Sequence, residues 1–157
     1  MKDYNKIKIL VIIIFLLMFL KAQAYPLEHE ITQSELLERI VWLEARGESE
    51  ACQTNVAITI LNRVESKKFP NSIEKVIFQK GQFQPSDYVR GINIPPIEQK
   101  RIREAIKVAY RAMKYADDKP LYFMNPDLSE KSSCNWFRSK LQYMYRIDNT
   151  EFYKEES

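Results

Sequence analysis

Two carboxylates flank a glycine in the run Glu44-Ala45-Arg46-Gly47-Glu48. The first falls where an aliphatic residue would be expected. At about 100° per helical residue, Glu44 lies within about 40° of Leu37 and Ile40, inside the stripe formed by Leu36, Leu37, Ile40 and Val41. A carboxyl group in apolar surroundings resists ionisation, so its pKa should rise toward neutrality. That is the property a general acid needs to protonate a glycosidic oxygen. The bland alternative is a helix-end glutamate that snorkels to water or pairs with Arg46. Glu48 is the candidate second carboxylate that an ordinary glycosidase requires, unless it caps the next helix or holds Arg46. Gly47 breaks the helix between the two acids, so their separation does not follow from helical spacing.

The elements that must position these groups are legible in outline. Thr32, three residues before Glu35, starts a capping box, and a first helix is expected to run to about Glu44 or Arg46. A second helix begins near Ser49 with Val56, Ala57, Ile60, Leu61 and Val64 on one face, and fades before Phe69-Pro70. Asn71 opens a short helical turn through Ile73, Val76 and Ile77. Residues 80–94 lose periodicity and carry Gly81, Pro85 and Gly91, which reads as a long functional loop. Pro95-Pro96 starts a third long helix with Ile102, Ala105, Ile106, Ala109, Ala112 and Met113 buried, ending near Asp117-Asp118. Residues 121–124 and 141–147 read as strands. The expected architecture is α+β, mainly helical, with a small C-terminal sheet.

The first 24 residues read as an export signal: Lys2, Lys6 and Lys8 precede an apolar run over 9–20, and Ala22-Gln23-Ala24 offers a cleavage site. The twelve apolar residues between Lys8 and Lys21 fall short of the about 20 that a spanning helix needs, so no stable membrane anchor is expected after cleavage. Residues 25–157 then form one domain, read as monomeric. Four lysines and one aspartate lie in 1–24, which accounts for the whole formal charge of +3. The remaining chain is neutral, without the basic field that nucleic-acid binding uses.

Other chemistries are poorly served. The single histidine, His29, cannot supply a zinc site or activate a cysteine nucleophile convincingly. Only three glycines occur and none are clustered, so no phosphate cradle is present. No cofactor and no metal are implied. Cys52 and Cys134 would share an oxidising compartment, where a bridge closing a loop of about 80 residues contributes on the order of 4 kcal/mol. Two separate buried thiols are the alternative.

The ordered set Glu44-Ala45-Arg46-Gly47-Glu48, Val56-Ala57-Ile58-Thr59-Ile60-Leu61-Asn62-Arg63-Val64, Phe69-Pro70-Asn71-Ser72-Ile73, Gly81-Gln82-Phe83 and Leu121-Tyr122-Phe123-Met124-Asn125-Pro126 resembles the catalytic domain of the SleB/CwlJ-type cell wall hydrolases. The resemblance covers nearly the whole chain after the signal. It implies a lysozyme-like fold related to resuscitation-promoting factors, and lytic transglycosylase action on peptidoglycan glycan strands in the periplasm or the wall. Glu44 matches the family's catalytic glutamate. One carboxylate would protonate the oxygen joining N-acetylmuramic acid to N-acetylglucosamine, then accept the proton of the muramic C6 hydroxyl.

Gln82 and Phe83 are expected to line a saccharide groove, with Tyr122, Asn125 and Trp136 joining from the sheet side. The structural alternative makes Tyr122 and Trp136 half-buried core aromatics and Asn125 a turn former. Asn62 and Arg63 are expected to bind a neighbouring loop rather than substrate. Where relatives tend to show Ile-Gly-Asn-His, this chain has Ile147-Asp148-Asn149-Thr150. That departure favours a competing reading, a non-catalytic wall-binding protein of the same fold. A hydrolytic muramidase and an N-acetylmuramoyl-L-alanine amidase compete as well, because both act on the same wall polymer.

Overall fold

The computed structural model describes residues 31–83, 86–115 and 119–156. The export signal and His29 lie outside them. Among the described residues six helices and three strands follow in order: α1 (Gln33–Ala45), α2 (Glu50–Glu65), α3 (Ile73–Ile77), α4 (Ser86–Gly91), α5 (Pro96–Ala112), β1 (Tyr122–Met124), α6 (Lys131–Lys140), β2 (Leu141–Ile147) and β3 (Thr150–Glu155). No helix among the described residues is long and apolar enough to cross a membrane.

Local chemistry fixes the helix ends. Thr32 and Glu35 form the expected capping box at the start of α1. Gly47, at φ +88°, turns the chain into Ser49, whose hydroxyl accepts from the Cys52 amide and caps α2. Pro96 opens α5, where its missing N–H costs nothing. α5 ends at Ala112, short of Asp117-Asp118, which lie outside the described residues. Ser72 rather than Asn71 caps α3, because its hydroxyl reaches the Lys75 amide. The 80–94 segment is not loop throughout: α4 lies within it, and Val89, Ile92 and Ile94 are buried in the core.

α1, α2 and α5 bury their apolar faces together, joined by α3. The sheet is antiparallel in the order β1-β3-β2. Alternation along β3 sends Phe152 into this helical core and Tyr153 to the opposite face, where it packs with Met124, Cys134 and Leu141. The sheet is therefore a wall between the helical body and α6. Two side chains of α2 tie that wall in place: Asn62 Nδ2 donates to Pro120 O at 3.0 Å and Arg63 Nε donates to Leu121 O at 2.7 Å. This is the loop-binding role expected for both.

The β2–β3 turn docks on the turn between α1 and α2. Asp148 stands at φ +51°, a conformation glycine adopts without strain, and its carboxylate accepts from the Ser49 amide at 2.7 Å. The residue that replaces the expected glycine thus gains a tether. The cysteines are not bridged. Cys52 is in the helical core and Cys134 in the second cluster, where its thiol faces Pro126 O and Ser129 O at 3.8 and 3.9 Å. Separate packing by separate elements, not a cross-link, explains both burials.

Candidate active site

A cleft of about 760 Å³ opens between the end of α1, α2, the segment around Gln82, β1 and α6. Glu44, Glu48, Gln82, Phe83 and Asn125 all line it, so five residues singled out in the sequence converge. Tyr122 and Trp136 are not among the lining residues. The Tyr122 ring packs edge-on to Phe69 and Phe137, and its hydroxyl donates to Glu155 Oε1 at 3.3 Å. Trp136 is half-exposed on α6, its ring 5.5 Å from and T-shaped to that of Phe137, which does line the cleft.

Glu44 is half-buried at the last turn of α1. Burial pushes its pKa from 4.5 up to about 7, and the nearby Arg63 charge pulls it partly back. No hydrogen bond to its carboxyl contributes among the described residues. Arg46 does not neutralise it: the Arg46 guanidinium stacks over the Trp42 ring at 5.4 Å. Arg63 is itself 4% exposed, and desolvation brings its pKa down to about 10, opposed by Tyr122 and Glu44.

Glu48 neither caps α2 nor holds Arg46. Ser49 is the cap, and Glu48 accepts from Asn149, through Nδ2 at 3.3 Å and the amide at 3.5 Å. Asn125 does shape its turn, accepting from the Asp127 amide at 3.0 Å, while also facing the cleft. Phe83 sits 6.2 Å from Phe123 and 5.3 Å from the Arg63 guanidinium.

Oxygen and sulfur atoms of Glu48, Cys52 and Asp148 lie within 4.8 Å of one another, the one such group among the described residues. Their chemistry is poor for a cation. Burial raises the Cys52 pKa to about 11, so the thiol keeps its proton, and both carboxylates already hold the β2–β3 turn.

Sequence reasoning missed Arg63, Tyr88, Phe137 and Thr150 as cleft residues. Thr150 occupies the place of the absent histidine, and no local pattern marks it. Arg63 carried a signal, a cation in the last turn of α2 close to buried Ile60 and Leu61.

The sequence profile of the Cell Wall Hydrolase family matches residues 47–153, starting just beyond Glu44. A spore cortex-lytic enzyme of Bacillus subtilis is 35% identical over 107 residues, covering 68% of this chain and 33% of that protein. One from Halalkalibacterium halodurans is 30% identical over 122 residues, 78% of this chain and 36% of that protein. The chain thus spans about a third of the length of these curated relatives. The catalytic domain of the germination-specific lytic transglycosylase SleB from Bacillus anthracis superposes with a TM-score of 0.62 at 27% identity, covering 82% of this chain and 99% of that one. The Bacillus cereus SleB catalytic domain gives 0.60 at 28% identity, with 82% and 94% covered. With a profile match over most of its length and the lysozyme-like architecture of these domains, the chain belongs to the cell wall hydrolase family.

Proposed function

We propose that the chain is an exported lytic transglycosylase that cuts peptidoglycan glycan strands between N-acetylmuramic acid and N-acetylglucosamine, with Glu44 as acid and then base. The observation that carries this reading is the Glu44 carboxyl itself, which lines the cleft without a hydrogen-bond partner among the described residues, so that burial pushes its pKa up to about 7. Both of its protonation states are within reach at neutral pH.

In the first stage the proton moves from Glu44 to the linking oxygen as the C1–O bond breaks through an oxocarbenium-like state. In the second, the carboxylate takes the proton of the muramic C6 hydroxyl as that oxygen bonds to C1. A 1,6-anhydro end forms and Glu44 regains its proton. Gln82 and Asn125 offer amides to sugar hydroxyls, and Phe83 offers a ring to an apolar sugar face. Residues 1–24 serve as the export signal, which brings the domain to the periplasm or the wall.

A hydrolytic muramidase is the second reading, favoured by Glu48 on the same cleft. Mass spectrometry of muropeptides after sacculus digestion separates the readings. Anhydro-muramic ends that vanish with Glu44→Gln are expected. Reducing muramic ends lost with Glu48→Gln mean hydrolysis, free stem peptides mean an amidase, and no soluble product means a wall-binding protein.

A further inference from the structure

Arg63 is bound more elaborately than its loop-anchoring role requires. Its Nε donates to Leu121 O at 2.7 Å, which alone pins the segment leading into β1. Yet the guanidinium is also held among three rings, 5.1 Å from Phe69, 5.3 Å from Phe83 and 5.4 Å from Tyr122. Its Nη1 is buried and has no hydrogen-bond partner among the described residues. Burying a cation with an unmatched donor is costly, and an uncharged side chain would pack between three rings without that cost. The arrangement makes sense if the charge is wanted at this spot.

What shares the spot is Glu44. Both side chains line the cleft, and each one's charge acts on the other. The remaining charged or titratable lining residues are otherwise engaged or exposed: Arg46 on Trp42, Glu48 on Asn149, and Tyr88 at the rim. Building on the glycan-cleaving reading of Glu44, we infer that Arg63 is a positioning residue for cleavage, a clamped cation that stabilises the carboxylate Glu44 becomes once its proton has passed to the leaving oxygen. Burial alone would make Glu44 a reluctant donor. The fixed cation offsets part of that reluctance, and the three rings and the Leu121 carbonyl stop it from swinging out to pair with substrate or solvent.

Two variants separate charge from anchoring, because both lose the Nε bond to Leu121 and only one loses the charge. Cleavage requires protonated Glu44, so the rate falls on the alkaline side as pH rises through its pKa. In Arg63→Met that alkaline limb moves upward by about one pH unit, and the low-pH plateau drops. In Arg63→Lys the limb stays close to the wild-type position. A limb that stays put in both variants, or moves equally in both, overturns the inference.

If Arg63→Met does not fold, the wild-type protein supplies the test. The Arg63 Nε–Hε resonance, protected by its bond to Leu121, should follow the ionisation of Glu44, and that step should be missing in Glu44→Gln. A resonance flat with pH in the wild type overturns the inference. Cleavage that survives Glu44→Gln instead overturns the underlying reading, and loss of cleavage in Glu44→Gln with an unmoved Arg63→Met limb sinks the role of Arg63 alone.

Discussion

Two glutamates on α1 meet the same low-dielectric body of the protein and are treated in opposite ways. Glu38 is buried against α5, and every part of its carboxylate is matched: Arg103 Nε donates to one oxygen at 2.9 Å and Gln99 Nε2 to the other at 3.0 Å. The bond to Glu38 in turn holds the Arg103 pKa above its ordinary value. Glu44, near the end of the same helix, receives no such bond among the described residues, and burial lifts its pKa to about 7. The difference shows that burial alone does not decide what a carboxylate can do. Burial with matching hydrogen bonds yields a structural tie between helices, and burial offset only in part, by the Arg63 charge, yields a group balanced between acid and base.

Exchanging each acid for a neutral residue breaks this comparison in opposite directions. Glu44→Gln is expected to lower glycan-strand cleavage by at least about a hundredfold, read as release of soluble muropeptides. The same change should stabilise the fold, with a defined sign. Below pH 4.5 the folded and unfolded chains both carry the proton and Glu44 imposes no penalty. As pH rises from 4.5 to about 7 the unfolded chain ionises first, so stability is lost across that window and stays lost above it. The variant should therefore gain up to about 3 kcal/mol over wild type at pH 8, less where water at the cleft mouth screens the group, and nothing at pH 4. Denaturant unfolding at the two pH values checks it.

Glu38→Ala has the converse profile. It should cost about 2 kcal/mol in the same unfolding assay, by stranding Gln99 and Arg103, and leave the cleavage rate of the folded enzyme unchanged. Gly47→Ala has a smaller effect, about 1 kcal/mol, because the turn that separates Glu44 from Glu48 needs φ +88° while open space surrounds the added methyl. Smallest of all is the effect of a reductant: Tm should not change when it is added, since neither Cys52 nor Cys134 is cross-linked.

The asymmetry between the two glutamates also marks what was legible in the sequence. Glu44 is visible because its environment is local: Leu37 and Ile40 sit on its own helix and the capping box at Thr32 fixes the phase. The pairing of Glu38 was not visible, since Arg103 and Gln99 lie on α5, far along the chain. The three long helices were foreseen for the same reason as Glu44, by sustained periodicity. α6 is not legible because it is short and polar, with Cys134 its one fully buried residue and Phe137 packed beside it. β3 was missed although it is the central strand, because its two-sided burial gives the run Thr150-Glu151-Phe152-Tyr153 without clean alternation. Five of the seven expected saccharide-site residues line the cleft, whereas Tyr122 packs between Phe69 and Phe137. It instead helps hold Arg63, a role that depends on β1 packing against α2.

The most direct test is a titration of the Glu44 side-chain carboxyl in the native enzyme, followed by carbon NMR with Glu44→Gln to assign the resonance. The expected midpoint lies near 7 and coincides with the alkaline limb of glycan-strand cleavage. A midpoint at the ordinary value of 4.5, or cleavage that ignores the ionisation of this group, would contradict it.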